Sequence, residues 1–96
     1  MLHTIYTSPY TTTSLSQCFR YAQKTSEILL VEDAVIAAVE SGYWCSYLIT
    51  SGYRVYVLIE DVKARGLNNE IASEFALIDI NGFIDLTERH VTQMKW

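Results

Sequence analysis

Short runs of apolar residues recur along the chain and are separated by longer stretches of mixed polarity. The runs cover Leu2 to Tyr6, Ile28 to Val31, Val55 to Ile59 and Ala76 to Ile80. Runs this short that are rich in β-branched and aliphatic side chains are typical of buried strands. The pattern therefore predicts a strand at each of these places.

The stretch after the first predicted strand has the spacing of one face of an α-helix. The apolar positions at this spacing are Leu15, Cys18, Phe19 and Ala22. Ser14, followed by Gln17 three residues later, forms the signature of a capping box, in which the two side chains satisfy free backbone amides. We therefore expect a helix that begins near Ser14.

Further helices are expected between and after the other strands. They cover Ala34 to Val39, Val62 to Arg65, and about Gly82 to Arg89. Asp33 and Asp61 stand immediately before the first two, where a carboxylate can accept hydrogen bonds from the amides of a first helical turn. Gly66 is placed to end the second. The first is apolar nearly all round, which predicts that it is covered on two sides.

Strands that alternate with helices indicate βαβ units with right-handed crossovers. The predicted fold class is therefore α/β, a small and mainly parallel sheet with helices on both faces, in one domain over residues 1–96.

In such sheets, binding and reaction sites lie beyond the carboxyl ends of the strands. The segments that leave strands there are Thr7 to Thr13, Glu32–Asp33, Glu60–Asp61 and the one after Ile80. The carboxylate pairs could serve acid-base chemistry, but capping by Asp33 and Asp61 is the preferred interpretation.

Composition narrows the classes of function. Of the 96 residues, 50% are hydrophobic and 12% aromatic, including seven Tyr and two Trp, which favours an oligomer for a chain of this size. The net charge is −4 and the basic residues are scattered, so direct nucleic-acid binding is not expected. The longest apolar run is far too short to cross a bilayer, and no signal-peptide pattern opens the chain. We expect a cytoplasmic protein without membrane contact, with reduced cysteines.

Cysteines and histidines are the residues that could carry chemistry. Cys18 lies in the first turns of a predicted helix, where the helix dipole favours a thiolate, yet it shares the apolar face, so nucleophile and core residue both stay open. Cys45, within the aromatic stretch Tyr43–Tyr47, is interpreted as structural. His3 and His90 form no metal-ligand pair, and no phosphate-binding glycine motif occurs, so neither a metal nor a cofactor is predicted. Pairing of Cys18 with either histidine would require tertiary contact.

Trp96 ends the chain, and a large aromatic residue at a terminus is unusual because termini tend to fray. We therefore expect its side chain to dock. The sequence leaves open whether it docks on this domain's own sheet or on a neighbouring subunit.

The chain resembles one family over its full length, through short segments that occur in the same order. These segments are Met1–Thr4 with Ser8–Pro9, Leu29–Val35 with Ala37–Ala38, Tyr56–Leu58 with Glu60–Asp61, Lys63–Gly66, Asp79, Phe83, Leu86–Thr87, and Gln93–Met94 with Trp96. They are similar to the TusB/DsrH family of sulfur-relay subunits. The resemblance implies a compact α/β fold of the DsrE type, a flavodoxin-like sandwich, in agreement with the alternation of strands and helices.

The resemblance also implies partners. It predicts a heterohexamer, built as a dimer of trimers, with TusC/DsrF-like and TusD/DsrE-like subunits, which passes persulfide sulfur to a TusE/DsrC-like acceptor protein. The favoured end point is 2-thiolation of the wobble uridine of tRNA, and dissimilatory sulfur oxidation is the alternative. In the Tus branch the main sulfur-carrying cysteine belongs to the TusD-type partner.

Members of the DsrH type look similar around Ser14–Cys18, with a cysteine at the matching position. The resemblance therefore makes Cys18 a candidate accessory persulfide site. Two other interpretations remain: a purely structural interaction subunit whose thiols carry no chemistry, and an independent small thiol enzyme that uses Cys18 with His3 or His90.

Overall fold

A single five-stranded sheet organises the chain in the computed structural model, which describes all residues from Met1 to Trp96. The strands are β1 Leu2–Ile5, β2 Glu27–Leu30, β3 Arg54–Leu58, β4 Ala76–Ile78 and β5 Gln93–Lys95. Their order across the sheet is β4-β3-β2-β1-β5, and every neighbouring pair is parallel. The predicted parallel α/β sheet is confirmed, and β5 is an addition that the apolar pattern does not reveal.

Helices cover both faces of this sheet, as predicted. They are α1 Ser14–Tyr21, a 3₁₀ helix Glu32–Ala38, α2 Tyr43–Ser51, α3 Ile59–Ala64 and α4 Ile80–Arg89. On one face a core cluster of 16 buried residues joins the strands to α1, the 3₁₀ helix, α2 and α3. On the other face, a cluster of six buried residues lies against α4 alone. Alternate residues of β2 show the division, because Ile28 belongs to the larger cluster and Leu29 to the smaller.

The start of α1 differs from the predicted capping box by one residue. Thr13 is the residue before the first turn, and its own side chain caps no backbone amide of the helix. The Gln17 side-chain amide instead donates to the Thr13 hydroxyl at 3.1 Å. The preceding turn causes the shift: the amides of Thr11 and Thr12 both donate to the Ser8 carbonyl, so the chain is already wound before Ser14.

The segment after β2 is a 3₁₀ helix rather than the predicted α-helix, and it begins at Glu32. Residues three apart eclipse in a 3₁₀ helix, and here Ala34 and Ala37 are both fully buried. Small side chains at that spacing let the backbone lie flat on the sheet. Val31 rather than Asp33 precedes the first turn, so the expected cap by Asp33 is wrong.

Two further helix starts also differ from prediction. The helix expected from Val62 begins at Ile59, which places Asp61 inside α3 instead of before it. The helix expected from about Gly82 begins at Ile80, and the carboxylate of Asp79 caps it by accepting from the Gly82 amide at 2.9 Å.

Helix α2 has no counterpart among the predicted elements. Its sequence is apolar on nearly every side, so it lacks the one-sided periodicity by which an amphipathic helix is recognised. Cys45 and Leu48 face the core. The helix ends at Gly52, whose φ of 80° is a left-handed conformation that glycine adopts without strain.

The chain terminus docks on its own sheet. Strand β5 pairs with β1, and the Trp96 amide continues the ladder by donating to the Thr4 carbonyl at 2.8 Å. The Trp96 indole Nε1–H donates to Nδ1 of His3 at 3.1 Å. Of the two docking sites left open by the sequence, the structure therefore shows the intramolecular one.

Candidate functional site

The carboxyl ends of β2 and β3 bring together the two predicted acidic turns. The Asp61 carboxylate accepts a hydrogen bond from the Glu32 amide at 2.6 Å, and Arg65 binds Asp33 at 2.8 Å. Glu32 has a φ of 49°, a left-handed conformation that is uncommon outside glycine, and the bond to Asp61 holds it there. Glu60 accepts from the Ile80 amide at 3.1 Å and so supports the start of α4. The carboxylates of Asp61 and Glu60 therefore position backbone amides and that of Asp33 pairs with Arg65, so no free acid-base pair is assembled.

Cys18 lies inside the larger core cluster, with none of its surface exposed. Burial raises the pKa of its thiol to about 12. This is opposite to the expected effect of the helix dipole, because Cys18 is the fifth residue of α1 and lies past the free amides of the first turn. Cys18 is therefore a thiol rather than a thiolate at neutral pH, and the observed conformation presents no nucleophile.

Cys45 is also buried, on the inward side of α2. Its pKa is raised by burial and by the nearby carboxylates of Glu74 and Glu40. Both cysteines are free thiols. The structural interpretation of Cys45 agrees with this environment.

The two histidines lie in separate places and neither hydrogen-bonds to Cys18. His3 is fully buried in β1, accepts from Trp96 at Nδ1, and has no partner at Nε2. Burial, with a smaller effect of the N-terminal amine, lowers the pKa of His3. His90 binds Glu27 at 2.6 Å. The Cys-His pair that a small thiol enzyme would need is therefore not formed.

A polar cluster that sequence reasoning missed lies at the amino-terminal ends of the central strands. The Glu27 carboxylate accepts from the Tyr56 hydroxyl at 2.9 Å, from Arg89 at 3.0 Å and from His90 at 2.6 Å. Burial alone would raise the pKa of Glu27, but the hydrogen bonds from His90 and Tyr56 and the charge of Arg89 outweigh it, and the pKa is lowered. The cluster fastens the end of α4 to β2 and β3. No sequence motif indicates it, since its members are far apart in the chain.

No group of three or more His, Cys, Asp or Glu side chains is arranged to hold a metal ion. None of the helices has the length and apolar character needed to span a membrane.

The outer side of α2 is an exposed aromatic surface without charge. None of the nine residues of this helix is charged, and Tyr43, Tyr47 and Ile49 are 70%, 45% and 41% exposed. The half-buried rings of Trp44, also in α2, and of Phe19, in α1, extend the surface toward the core, with centroids 5.3 and 5.0 Å from that of Tyr47. We call these five residues the α2 surface. Aromatic residues free of charge at this density are typical of the centre of a protein interface.

Comparison with known proteins now gives a family. A profile described as "DsrH like protein" matches residues 7–93. Protein TusB of Escherichia coli K12 is 38% identical over 96 residues, which cover all of both chains. The chain belongs to the TusB/DsrH family. Protein TusB of Shigella boydii serotype 18 has the same identity and coverage.

Solved structures show the same fold. The crystal structure of the ychN protein from E. coli superposes with a TM-score of 0.78 and 16% identity, over 99% of this chain and 97% of that one. Protein MTH1491 from Methanobacterium thermoautotrophicum gives a TM-score of 0.64 at 10% identity, over 99% and 96% of the two chains. The DsrE-like α/β fold expected from the resemblance is confirmed.

Proposed function

We propose that the chain is a subunit of a cytoplasmic, heterohexameric sulfur-relay complex that passes persulfide sulfur to an acceptor protein for 2-thiolation of the tRNA wobble uridine. Full-length similarity to TusB supports the proposal. The observation that carries it is the α2 surface, because a small chain that exposes an uncharged aromatic surface gains stability when a partner covers it. The partners are the TusC/DsrF-like and TusD/DsrE-like subunits, and the acceptor is TusE/DsrC-like.

Within this complex the chain acts as an interaction subunit. In sulfur transfer, a thiolate attacks the outer sulfur of a donor persulfide and the donor thiolate leaves, so the attacking sulfur must be ionised and accessible. Cys18 is neither in the observed conformation. The role of Cys18 as an accessory persulfide site stays a prediction, and it would require α1 to move away from the sheet.

Native mass spectrometry of the tagged chain, purified gently from its own cells, tests the proposal. We expect a hexamer with two related small subunits, with reducible extra sulfur on a partner. Extra sulfur on Cys18 would make this chain a sulfur carrier. In that case the complex with Cys18→Ser would no longer transfer sulfur to the acceptor, whereas the complex with the matched control Cys45→Ser would still do so. Recovery of the chain only as a free monomer would contradict the proposal.

The end point is tested separately in cells that lack this chain. We expect the 2-thio group to disappear from the affected tRNAs, as measured by liquid chromatography and mass spectrometry of digested tRNA. Unchanged thiolation together with impaired oxidation of reduced sulfur compounds would favour the alternative branch.

A further inference from the structure

The last residues of the chain cover one edge of the sheet. Strand β5 is the outermost strand on this side and pairs only with β1. All four residues of β1 are buried, whereas Gln93 and Lys95 of β5 are exposed. We call residues 92–96 the terminal strap. Without the strap, the buried strand β1 would present unpaired backbone groups at an open edge, where other chains can add a strand.

Few interactions hold the terminal strap in place. Besides the short β5–β1 ladder, the Trp96 amide donates to the Thr4 carbonyl at 2.8 Å. The Gln93 side-chain amide donates to the Thr87 carbonyl at 2.8 Å, and the Trp96 indole donates to Nδ1 of His3 at 3.1 Å. Chain ends with few buried contacts open at a lower free energy than the whole fold. The strap is therefore an element that opens by itself while the rest of the chain stays folded.

The hydrogen bond between Trp96 and His3 allows only one protonation state of the imidazole. An indole N–H is a donor only, so Nδ1 of His3 must carry a free lone pair. The hydrogen of the neutral ring is then on Nε2, which has no hydrogen-bond partner. A further proton would have to bind Nδ1, where it would displace the indole and place a charge in a fully buried ring. The closed strap therefore excludes protonated His3.

No carboxylate on the neighbouring strands or on α1 faces His3 to stabilise a charged imidazole. The residues paired with His3 are Ile28 of β2 and Met94 of β5. Their charged neighbours, Glu27 and Lys95, project from the opposite face of the sheet, because side chains alternate along a strand. Helix α1 contains no acidic residue, and its titratable side chains are Cys18, Arg20 and Tyr21. Burial is the main cause of the lowered pKa of His3, and the positive N-terminal amine acts in the same direction.

We propose that the terminal strap is a pH-sensitive cover, which protonation of His3 releases from β1 while the rest of the fold stays closed. Release begins as the pH falls below 6.5, the ordinary pKa of the imidazole, and each further pH unit weakens closure by up to about tenfold. The other histidine does not release α4 in this range. A proton on His90 adds attraction to Glu27, whose own pKa lies below its ordinary value of 4.5. The inference concerns the chain's own fold and is independent of the proposed function.

Nuclear magnetic resonance of the isotope-labelled full chain tests the proposal. Between about pH 7.5 and about pH 5, the heteronuclear Overhauser effect of the strap amides should fall to values typical of a mobile tail. The Trp96 indole N–H signal should move toward the position of a solvent-exposed indole over the same range, and Trp96→Phe assigns this signal. The amides of α4 should keep the values of an ordered helix.

Two histidine variants identify the group that takes up the proton. In His3→Asn the side-chain oxygen accepts from the indole in place of Nδ1 and does not titrate, so the strap should stay closed down to about pH 5. His90→Gln is the matched control, because it removes the other histidine and should keep the wild-type release. Trp96→Phe lacks the indole donor, so its strap should already be more mobile at pH 7.5, which tests the bond even if His3→Asn does not fold.

Three results would overturn the inference. The first is a wild-type strap that stays as rigid at about pH 5 as at about pH 7.5. The second is release of the strap in His3→Asn at the same pH as in wild type, since another group would then take up the proton. The third is loss of order in α4 at the same pH as in the strap, which would show unfolding of the whole chain instead of local release.

Discussion

At the scale of single residues, burial decides what the chain's reactive side chains can do. Cys18 and Cys45 both have raised thiol pKa values, and in each case desolvation is the main cause. The sequence places Cys18 correctly on a helix face, but it cannot show that this face is sealed by the sheet. A nucleophile and a packing residue have the same spacing, and only tertiary burial separates them.

Slow alkylation of the folded chain follows from this burial. At pH 7.5, a maleimide is expected to modify Cys18 far more slowly in the native chain than in the chain unfolded in guanidinium. In the native chain the sulfur is inaccessible to the reagent and is not ionised. Intact mass and peptide mapping over time measure the rates. If Cys18 is labelled as rapidly in the native chain as in the unfolded chain, α1 opens readily. That result would restore the interpretation of Cys18 as a sulfur carrier.

Glu27 makes stability depend on pH in an acidic range. Its pKa in the folded chain is lowered from an ordinary value of 4.5, so its stabilising effect is complete above that value and is lost as the pH falls through the folded pKa. We expect Glu27→Gln to lower the free energy of unfolding by about 2 kcal/mol at pH 7, since Arg89 and His90 lose a charged acceptor.

Urea unfolding of both chains across pH 3 to 7 measures this difference. The gap between wild type and Glu27→Gln should narrow toward the acid end, and Glu74→Gln, at an exposed position, should leave stability unchanged. A gap of equal size at pH 3 and pH 7 would mean that the carboxylate charge is not what stabilises the cluster.

At the scale of secondary-structure elements, the apolar pattern predicts the elements whose sequences have a clear apolar periodicity or a continuous apolar run. The strands β1 to β4 lie close to their predicted positions, because buried parallel strands read as apolar runs. Strand β5 is short and mostly polar, with the sequence Gln-Met-Lys, so it contains no apolar run. Helix α2 is apolar on nearly every side, so it shows no one-sided helical periodicity. Helix starts were shifted because the carboxylates of Asp33 and Asp61 bind an arginine and a backbone amide of other elements.

The element formed by β5 and Trp96 shields His3, and its removal should change how His3 titrates. The pKa of buried His3 is lowered, so this residue favours folding above its ordinary value of 6.5 and opposes it as the pH falls below that value. A chain truncated after Thr92 loses the indole hydrogen bond and the cover over β1. We expect the His3 pKa to move back toward 6.5 and the free energy of unfolding to fall by about 2–4 kcal/mol.

Nuclear magnetic resonance titration of the histidine ring protons gives the pKa, with His90→Gln used to assign the two signals. Trp96→Phe is the matched control, since it keeps an aromatic cover but removes the indole donor, and it should shift the His3 pKa less than truncation does. An unchanged His3 pKa in the truncated chain would show that β1 and α1 bury the imidazole without help from the terminus.

At the scale of the whole molecule, the two faces of the sheet are covered unequally. The larger core cluster lies under several helices, whereas α4 alone covers the other face. Apolar side chains of α2 and α4 are exposed, and a chain of 96 residues has little stability to spare for that exposure. Binding of partners that recognise only the folded state raises its stability by mass action.

Tyr43→Ser separates the stability of the chain from its assembly. Tyr43 is 70% exposed and its ring meets only that of Trp44 among the aromatic residues, edge-on at 5.6 Å, so the isolated variant should unfold within about 0.5 kcal/mol of wild type. An aromatic residue at the centre of an interface contributes about 2 kcal/mol or more, so the subunit bound at α2 should dissociate roughly 30-fold more readily. Val91→Ser, at a fully exposed position outside the α2 surface, should alter neither quantity. If Tyr43→Ser assembles like wild type, the uncharged helix faces solvent in the working protein and the interface lies elsewhere.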